Sequence, residues 1–242
     1  MPRSAKIVDF FRVWTPEMAY VLGYWWADGC MRIKSDTGGY LVEIASNDYD
    51  HLQIIAHAIG ENYYIRRVST HSNTYVITFC SKQMYQDIEA HGGSPRKSKV
   101  IGFPTVPHDL LPHFVRGVVD GDGTLSWNDD RPILQIYSGS QGFLNQVVGA
   151  ITSITGIPAS NISTNRENWY IKWSTIRAKC LAAWLYVDNS GLALARKSAV
   201  AAQFLEWQPK KRPEKGTITD EMRLNFSAYL PAEVLGAEYA RN

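Results

Sequence analysis

The sequence predicts an α+β fold built from one unit written twice, with an antiparallel sheet in each copy. Three observations predict it. Thr15–Gly29 returns as Asp109–Gly123, with Asp28 falling on Asp122 at an offset of 94 positions. The segments that follow each copy have strand and helix character in the same order. Near the end of each copy stands a basic triplet, Arg96-Lys97-Ser98 and Arg196-Lys197-Ser198. Two copies are too few for a solenoid, whose repeats must stack to bury a core, and fit instead a pseudo-twofold pair within one chain. The chain is therefore expected to act as a monomer.

The elements follow in order. Each copy opens on a residue suited to cap a helix, Thr15 or Asp109, with Pro16 or Pro112 in the first turn. An apolar helix then runs to Asp-Gly, where a glycine past the end is a natural stop. Tyr40–Ser46 and Pro132–Ser138 are rich in residues that suit a pleated, half-buried surface. Helical stretches follow at 51–60 and 143–151. A second strand pair comes next, near 65–68 and 75–79 in the first copy and near 161–163 and 169–174 in the second. Helices near 83–91 and 177–186 close the units, so each reads αββαββα. The expected organisation is a first repeat at 1–100, a linker at 101–108 with Pro104 and Pro107, a second repeat at 109–207, and a basic linker with a tail helix (219–230) at 208–242.

Composition excludes several classes. Of 242 residues, 45% are hydrophobic and 20% charged, ordinary values for a globular chain and against disorder. No apolar run approaches the ~20 residues of a membrane span. The start, MPRSAKIVDFF, has no apolar signal region, so an intracellular site is expected. Three cysteines, Cys30, Cys80 and Cys180, stand far apart without a C-x-x-C pair, which gives neither a disulfide framework nor a zinc site. The six histidines have no ligand spacing. A net charge of +2 is too small to announce nucleic acid by itself.

The chemistry is concentrated at the two Asp-Gly helix ends. A carboxylate at a helix C-terminus faces the negative end of the dipole, unfavourable by about 0.3–1 kcal/mol. Two such carboxylates side by side also repel each other. A hard divalent cation between them removes both problems, and Mg²⁺ keeps several waters while taking the rest of its shell from phosphate. Gly23 and Gly117 sit mid-helix, where glycine costs about 1 kcal/mol against alanine. Their recurrence at one repeat position points to two helices whose backbones approach closely. Trp25 and Trp26, adjacent on a helix, cannot share a face. One is expected in the helix interface and the other in its own half.

Leu22-Gly23-Tyr24-Trp25-Trp26-Ala27-Asp28-Gly29 and Arg116-Gly117-Val118-Val119-Asp120-Gly121-Asp122-Gly123 resemble the two motifs of a monomeric LAGLIDADG homing endonuclease. Residues 9–20 resemble the lead-in to the first motif, and the likeness spans about residues 9–207. Trp26 departs from the pattern, standing where an earlier acidic residue is common, whereas Asp120 keeps it. The resemblance implies two motif helices packed at an interface between halves, with saddle-shaped antiparallel sheets in the DNA major groove. It also implies that Asp28 and Asp122, with Gly29 and Gly123 beside them, bind Mg²⁺, with Mn²⁺ or Ca²⁺ as other candidates. Lys97 and Lys197 then polarise the attacking water or the scissile phosphate. The competing view of these lysines is a solvated charge pair.

A β-ribbon fits the major groove, where base edges are distinguishable. Strand alternation puts Ile171 and Trp173 in the core and leaves Tyr170, Lys172 and Ser174 on the other face. Leu134 and Ile136 likewise leave Gln135 and Tyr137, with Ser138 at the strand end. Glu43 joins Gln135 by repeat position, and Arg32, Lys34, Arg66 and Arg67 complete the candidates for base or phosphate contact. Alternation leaves the register of Tyr75–Phe79 open. The function expected is site-specific double-strand cleavage of a long duplex DNA target. The alternatives are a maturase that binds intron RNA and a DNA-binding regulator that does not cut.

Overall fold

A computed structural model describes residues 9–60, 63–187 and 192–209. The tail helix expected at 219–230, and most of the basic linker before it, lie outside the described residues. The described chain divides into two compact units, residues up to 122 with 192–194, and residues 123–187 with 195–209. No helix among the described residues is long and apolar enough to cross a membrane.

In the first unit the order is α1 (Pro16–Asp28), β1 (Gly29–Ile33), β2 (Tyr40–Ser46), α2 (Tyr49–Ile59), β3 (Ile65–Arg67), β4 (Tyr75–Phe79) and α3 (Lys82–Ala90). A 3-10 turn at Lys97–Lys99 follows, then another at His108–Leu110 that leads into α4 (Leu111–Asp122). Capping explains where the helices begin. Thr15 Oγ1 accepts from the Met18 N–H at 3.1 Å, Asp48 from His51 at 3.1 Å and Ser81 from Met84 at 3.3 Å. The four strands pair antiparallel in the order β1-β2-β4-β3. Met31, Val42, Ile44, Ile77 and Phe79 share the inner face and are buried with Leu52, Ile55 and Ile88 from the helices. That settles the register of β4: Ile77 and Phe79 point inward, leaving Val76 and Thr78 on the face of Glu43.

The second unit repeats the strand plan with β5 (Gly123–Asn128), β6 (Arg131–Ser138), α5 (Gln141–Thr155), β7 (Ser163–Asn165), β8 (Asn168–Ser174), α6 (Ile176–Tyr186) and α7 (Ala195–Glu206). Its sheet is antiparallel in the order β5-β6-β8-β7. Asp129 and Asp130 both take positive φ, 49° and 60°, in the tight β5–β6 hairpin, where that backbone matches the twist of the strands. Leu134, Ile136, Ile171 and Trp173 are buried beneath α5 and α6 residues such as Leu144, Val147 and Leu181.

Two local expectations are corrected. Asp109 does not cap α4: it lies inside the 3-10 turn His108–Leu110, and the α-helix begins at Leu111. Gly29, by contrast, follows the end of α1 as expected, its N–H donating to the Trp25 carbonyl, and at φ −93° and ψ 156° it is already extended strand. Its lack of a side chain also serves packing, because a Cβ there would stand 2.2 Å from the Trp25 ring. The basic triplets also differ. Lys97 sits in a 3-10 turn after Arg96 at φ 57°, whereas Arg196 and Lys197 lie in the first turn of a full helix, α7, added to the αββαββα plan.

Candidate functional site

The two Asp-Gly helices pack directly on each other within the first unit. A Cβ on Gly23 would fall 2.0 Å from the Phe114 carbonyl oxygen, and one on Gly117 would fall 2.1 Å from the Tyr20 oxygen and 2.6 Å from the Tyr24 nitrogen. One on Gly121 would meet Ala27 Cβ at 2.4 Å and Asp28 Oδ2 at 3.3 Å. Residue numbers rise together along these contacts, so α1 and α4 run parallel. Both C-termini, and therefore Asp28 and Asp122, emerge at the same end. Both aspartates are exposed, and neither helix has a basic residue in its last turn. The tryptophan pair divides as its spacing requires. Trp26 faces α4, its ring 5.9 Å from Phe114, while Trp25 packs against Gly29 and Gly93 of its own half.

Lys97 is buried beside this end, 5% exposed. Its Nζ donates to the carbonyl oxygens of Trp26 at 2.6 Å and Ala27 at 3.0 Å, and lies 5.2 Å from the centre of the Trp25 ring. It thus caps the last turn of α1, where carbonyls lack helical partners. Burial lowers its pKa to about 8, against the opposing charges of Asp122 and then Asp28, both of which it senses. Lys197 is equally buried, 5% exposed, and its Nζ donates to the Gly123 carbonyl at 2.7 Å, directly after Asp122 in the chain. Neither lysine is a solvated surface charge.

The lowered value of Lys97 makes stability depend on pH. Below pH 8 the folded and unfolded states both hold the proton, and the fold bears the full burial penalty. Between about 8 and 10.5 only the unfolded state keeps it, so rising pH relieves that penalty. In chelator-treated protein without DNA, wild type is expected to gain on the order of 2–3 kcal/mol over Lys97→Met between pH 7 and 10. Melting curves at four pH values read this, and a constant gap between the two proteins would show an ordinary lysine.

Among the described residues, no three or more His, Cys, Asp or Glu converge on a point. A cation here would draw its protein ligands from Asp28 and Asp122, with neighbouring carbonyls, water and phosphate completing the shell. That oxygen-rich, partly hydrated set fits Mg²⁺ or Mn²⁺ and does not suit a soft-metal cage.

The candidate sheet residues fall into three groups. On the open face of the first sheet, Cys30, Glu43 and Thr78 stand in one cross-strand row, with Arg32 and Arg66 flanking. Glu43 is 8% exposed and its carboxylate meets Arg32 at 3.4 Å, Arg66 at 3.4 Å and Thr78 Oγ1 at 2.9 Å. It holds the two guanidiniums in place, and the cluster keeps one net positive charge. Lys34 is exposed at the end of the β1–β2 hairpin. Arg67 lies on the other parity and folds back onto the β3–β4 turn, to the Ser72 carbonyl at 2.6 Å and Asn73 at 3.0 Å.

On the open face of the second sheet, Gln135 pairs across to Lys172 and Thr124, and Tyr137 to Tyr170 with ring centres 5.7 Å apart. Ser174 and Lys172 share that face. Ser138 does not: it has the parity of Leu134 and Ile136, and its hydroxyl accepts from the Ser140 N–H at 3.1 Å. Its counterpart Ser46 makes the same bond to Asp48, at 3.0 Å. Thr78, Thr124 and Ser126 join the open faces without having been singled out. The signal for the last two was the strand beginning at each Asp-Gly, which alternation of its few residues did not reveal.

Sequence reasoning also passed over a buried polar chain beneath the site. Tyr20 Oη donates to Asp120 Oδ2 at 2.7 Å and meets His51 Nε2 at 2.9 Å, and Arg116 lies 5.4 Å from the Tyr20 ring centre. Asp120 and Arg116 inside an apolar helix were the available hint.

Residues 15–91 match the family model of a LAGLIDADG-like domain. No curated protein matches the chain by sequence. Among solved structures, the homing endonuclease I-WcaI bound to its DNA recognition sequence shares 12% identity over 83% of this chain and 94% of its own, with a TM-score of 0.53. Full-length DUF199/WhiA from Thermatoga maritima shares 14% identity over 93% of this chain and 72% of its own, at 0.52. I-DmoI in complex with DNA and Mn shares 15% identity over 70% and 96%, at 0.50. At these identities the likeness is one of fold.

Proposed function

We propose, from the premise that residues 15–91 are a LAGLIDADG-like domain in a chain with the two-motif LAGLIDADG fold, that this protein is a site-specific DNA endonuclease. It acts as a monomer and cuts both strands of a duplex by metal-assisted phosphodiester hydrolysis. The observation that carries the reading is the parallel packing of α1 and α4, which brings Asp28 and Asp122 to one end beside the buried Lys97. The fold alone does not assign cleavage, since it is shared with DUF199/WhiA, so the reading rests on the site.

In this reading Asp28 and Asp122 hold divalent cations, Mg²⁺ first, with Mn²⁺ and Ca²⁺ as other occupants. Bound there, such an ion polarises a phosphoryl oxygen and lowers the pKa of its water. The chain supplies the rest. Lys97 and Lys197 hold the carbonyls that flank the aspartates and place positive charge where the phosphate gains negative charge. Arg32 and Arg66, ordered by Glu43, join Lys34, Gln135, Tyr137, Tyr170, Lys172 and Ser174 as the groups offered to DNA. Arg67 is the weakest of these candidates because its guanidinium is already engaged. No observation favours intron RNA.

In this reading the gene lies within an intron or other insertion at its own target, so the test is a supercoiled plasmid bearing the uninterrupted form of that locus, incubated with Mg²⁺. A single linear product is expected. Intact plasmid at enzyme excess, with a stable gel shift, would instead make the chain a DNA-binding regulator. For the sheet face, Lys172→Ala is expected to weaken binding. A fall of about 0.9 in the slope of log affinity against log salt marks a phosphate contact, and lost discrimination at one base pair marks a base contact. If neither changes, Lys172 does not touch DNA.

A further inference from the structure

We infer that the residue two places before the terminal aspartate of each motif, Trp26 in one and Asp120 in the other, is a positioning residue that staples the segment bordering the basic triplet and so holds Lys97 and Lys197 in place.

In the first motif the staple is a donor. The Trp26 indole N–H reaches the Gly102 carbonyl at 2.9 Å, while the Trp26 carbonyl receives Lys97 Nζ at 2.6 Å. Between those two points the chain is a closed turn, with the Lys97 carbonyl accepting from the Val100 and Ile101 N–H groups at 3.0 and 2.9 Å. The segment from Lys97 to Gly102 is therefore fixed to one residue at both ends. Phe103, next in the chain, packs on Phe114 of α4 with ring centres 5.3 Å apart.

In the second motif the staple is an acceptor. Asp120, 1% exposed, takes the Leu194 N–H on Oδ2 at 2.7 Å, and the same oxygen takes Tyr20 Oη at 2.7 Å. One turn earlier on α4, Arg116 Nε donates to the Leu192 carbonyl at 2.9 Å. Leu194 stands three residues before Lys197, at the entry to α7. The two motifs thus differ at this position because one strap presents a carbonyl and the other an N–H. A tryptophan and an aspartate do the same task with opposite polarity, which is why Trp26 is no defect in the first motif.

The inference rests on the nuclease reading only for what the lysines do, and its test does not need cleavage. Full-length protein without DNA is acetylated with an N-hydroxysuccinimide ester, and labelling at each lysine is followed by mass spectrometry. Trp26→Phe keeps the ring and loses the donor; Lys97 labelling is expected to rise roughly fivefold or more, the scale of one lost hydrogen bond. Asp120→Ala is expected to do the same at Lys197. Asp120→Asn, which keeps an acceptor oxygen, should stay near wild type. Lys179, 1% exposed and bonded to the Trp207 carbonyl at 2.9 Å, reports general loosening and should not change. No rise at Lys97 in Trp26→Phe, or an equal rise at Lys179, overturns the inference, and this arm decides alone if Asp120→Ala does not fold. Cleavage of the uninterrupted locus is measured alongside. A wild type that does not cut sinks the nuclease reading and leaves the labelling result standing, whereas a Trp26→Phe protein that gains labelling should cut more slowly at unchanged affinity.

Discussion

Asp28→Asn and Asp122→Asn are each expected to reduce double-strand cleavage by roughly a hundredfold or more while retaining specific binding. Each change removes one carboxylate charge from the end of a packed helix. Both aspartates are exposed, and the asparagine that replaces each has nearly the same shape. Metal-borne charge stabilisation of several kcal/mol corresponds to two or more powers of ten in rate. Binding is expected to hold or tighten, because a carboxylate facing phosphate is repelled by it. Single-turnover cleavage with Mg²⁺ and a gel shift in Ca²⁺ measure the two quantities separately. Full double-strand cutting by either variant would remove that aspartate from the reaction. Equal loss of binding and cutting would mean that it contributes to holding DNA instead.

Gly23→Leu and Gly117→Leu are expected to destabilise the protein by about 3 kcal/mol or more, a drop of roughly 6–12 °C in Tm for a chain of this size. The reason is the backbone. The first carbon of any side chain at Gly23 would stand 2.0 Å from the Phe114 carbonyl oxygen, and at Gly117 2.1 Å from that of Tyr20. These neighbours are main-chain atoms of helices, not the far ends of flexible side chains, so relief requires the helices to separate. Separation displaces Asp28 and Asp122 together, and activity falls in whatever fraction stays folded. Thermal melts of the two variants beside Gly149→Ala, where a Cβ meets nothing within 4 Å, give the comparison. A Gly23→Leu protein as stable and active as wild type would mean that α1 and α4 do not pack as described.

Much of the fold was legible in the sequence because local order writes itself at fixed periods. The offset between Asp28 and Asp122 announced a repeated unit, and apolar alternation placed Leu134, Ile136, Ile171 and Trp173 inward, as they are. Mid-helix glycines signalled close approach before any distance was known. What the sequence left open depends on groups far apart in the chain. Alternation did not reveal that Glu43 is taken up by Arg32 and Arg66, that Arg67 folds onto its own turn, or that Ser138 ends its strand on the inner face. The spacing of a triplet such as Arg-Lys-Ser does not show its burial, which comes from carbonyls some 70 residues away, as those of Trp26 and Ala27 do for Lys97. The sequence by itself determined the repeat, the helix ends that bear the aspartates and the inward set of each strand, since each follows from neighbours along the chain. Tertiary structure alone decided that α1 and α4 run parallel, that the lysines are buried, and that Trp26 and Asp120 tie down the segments beside them. Those outcomes turn on which buried donors and acceptors meet across long separations, and no period in the sequence encodes that.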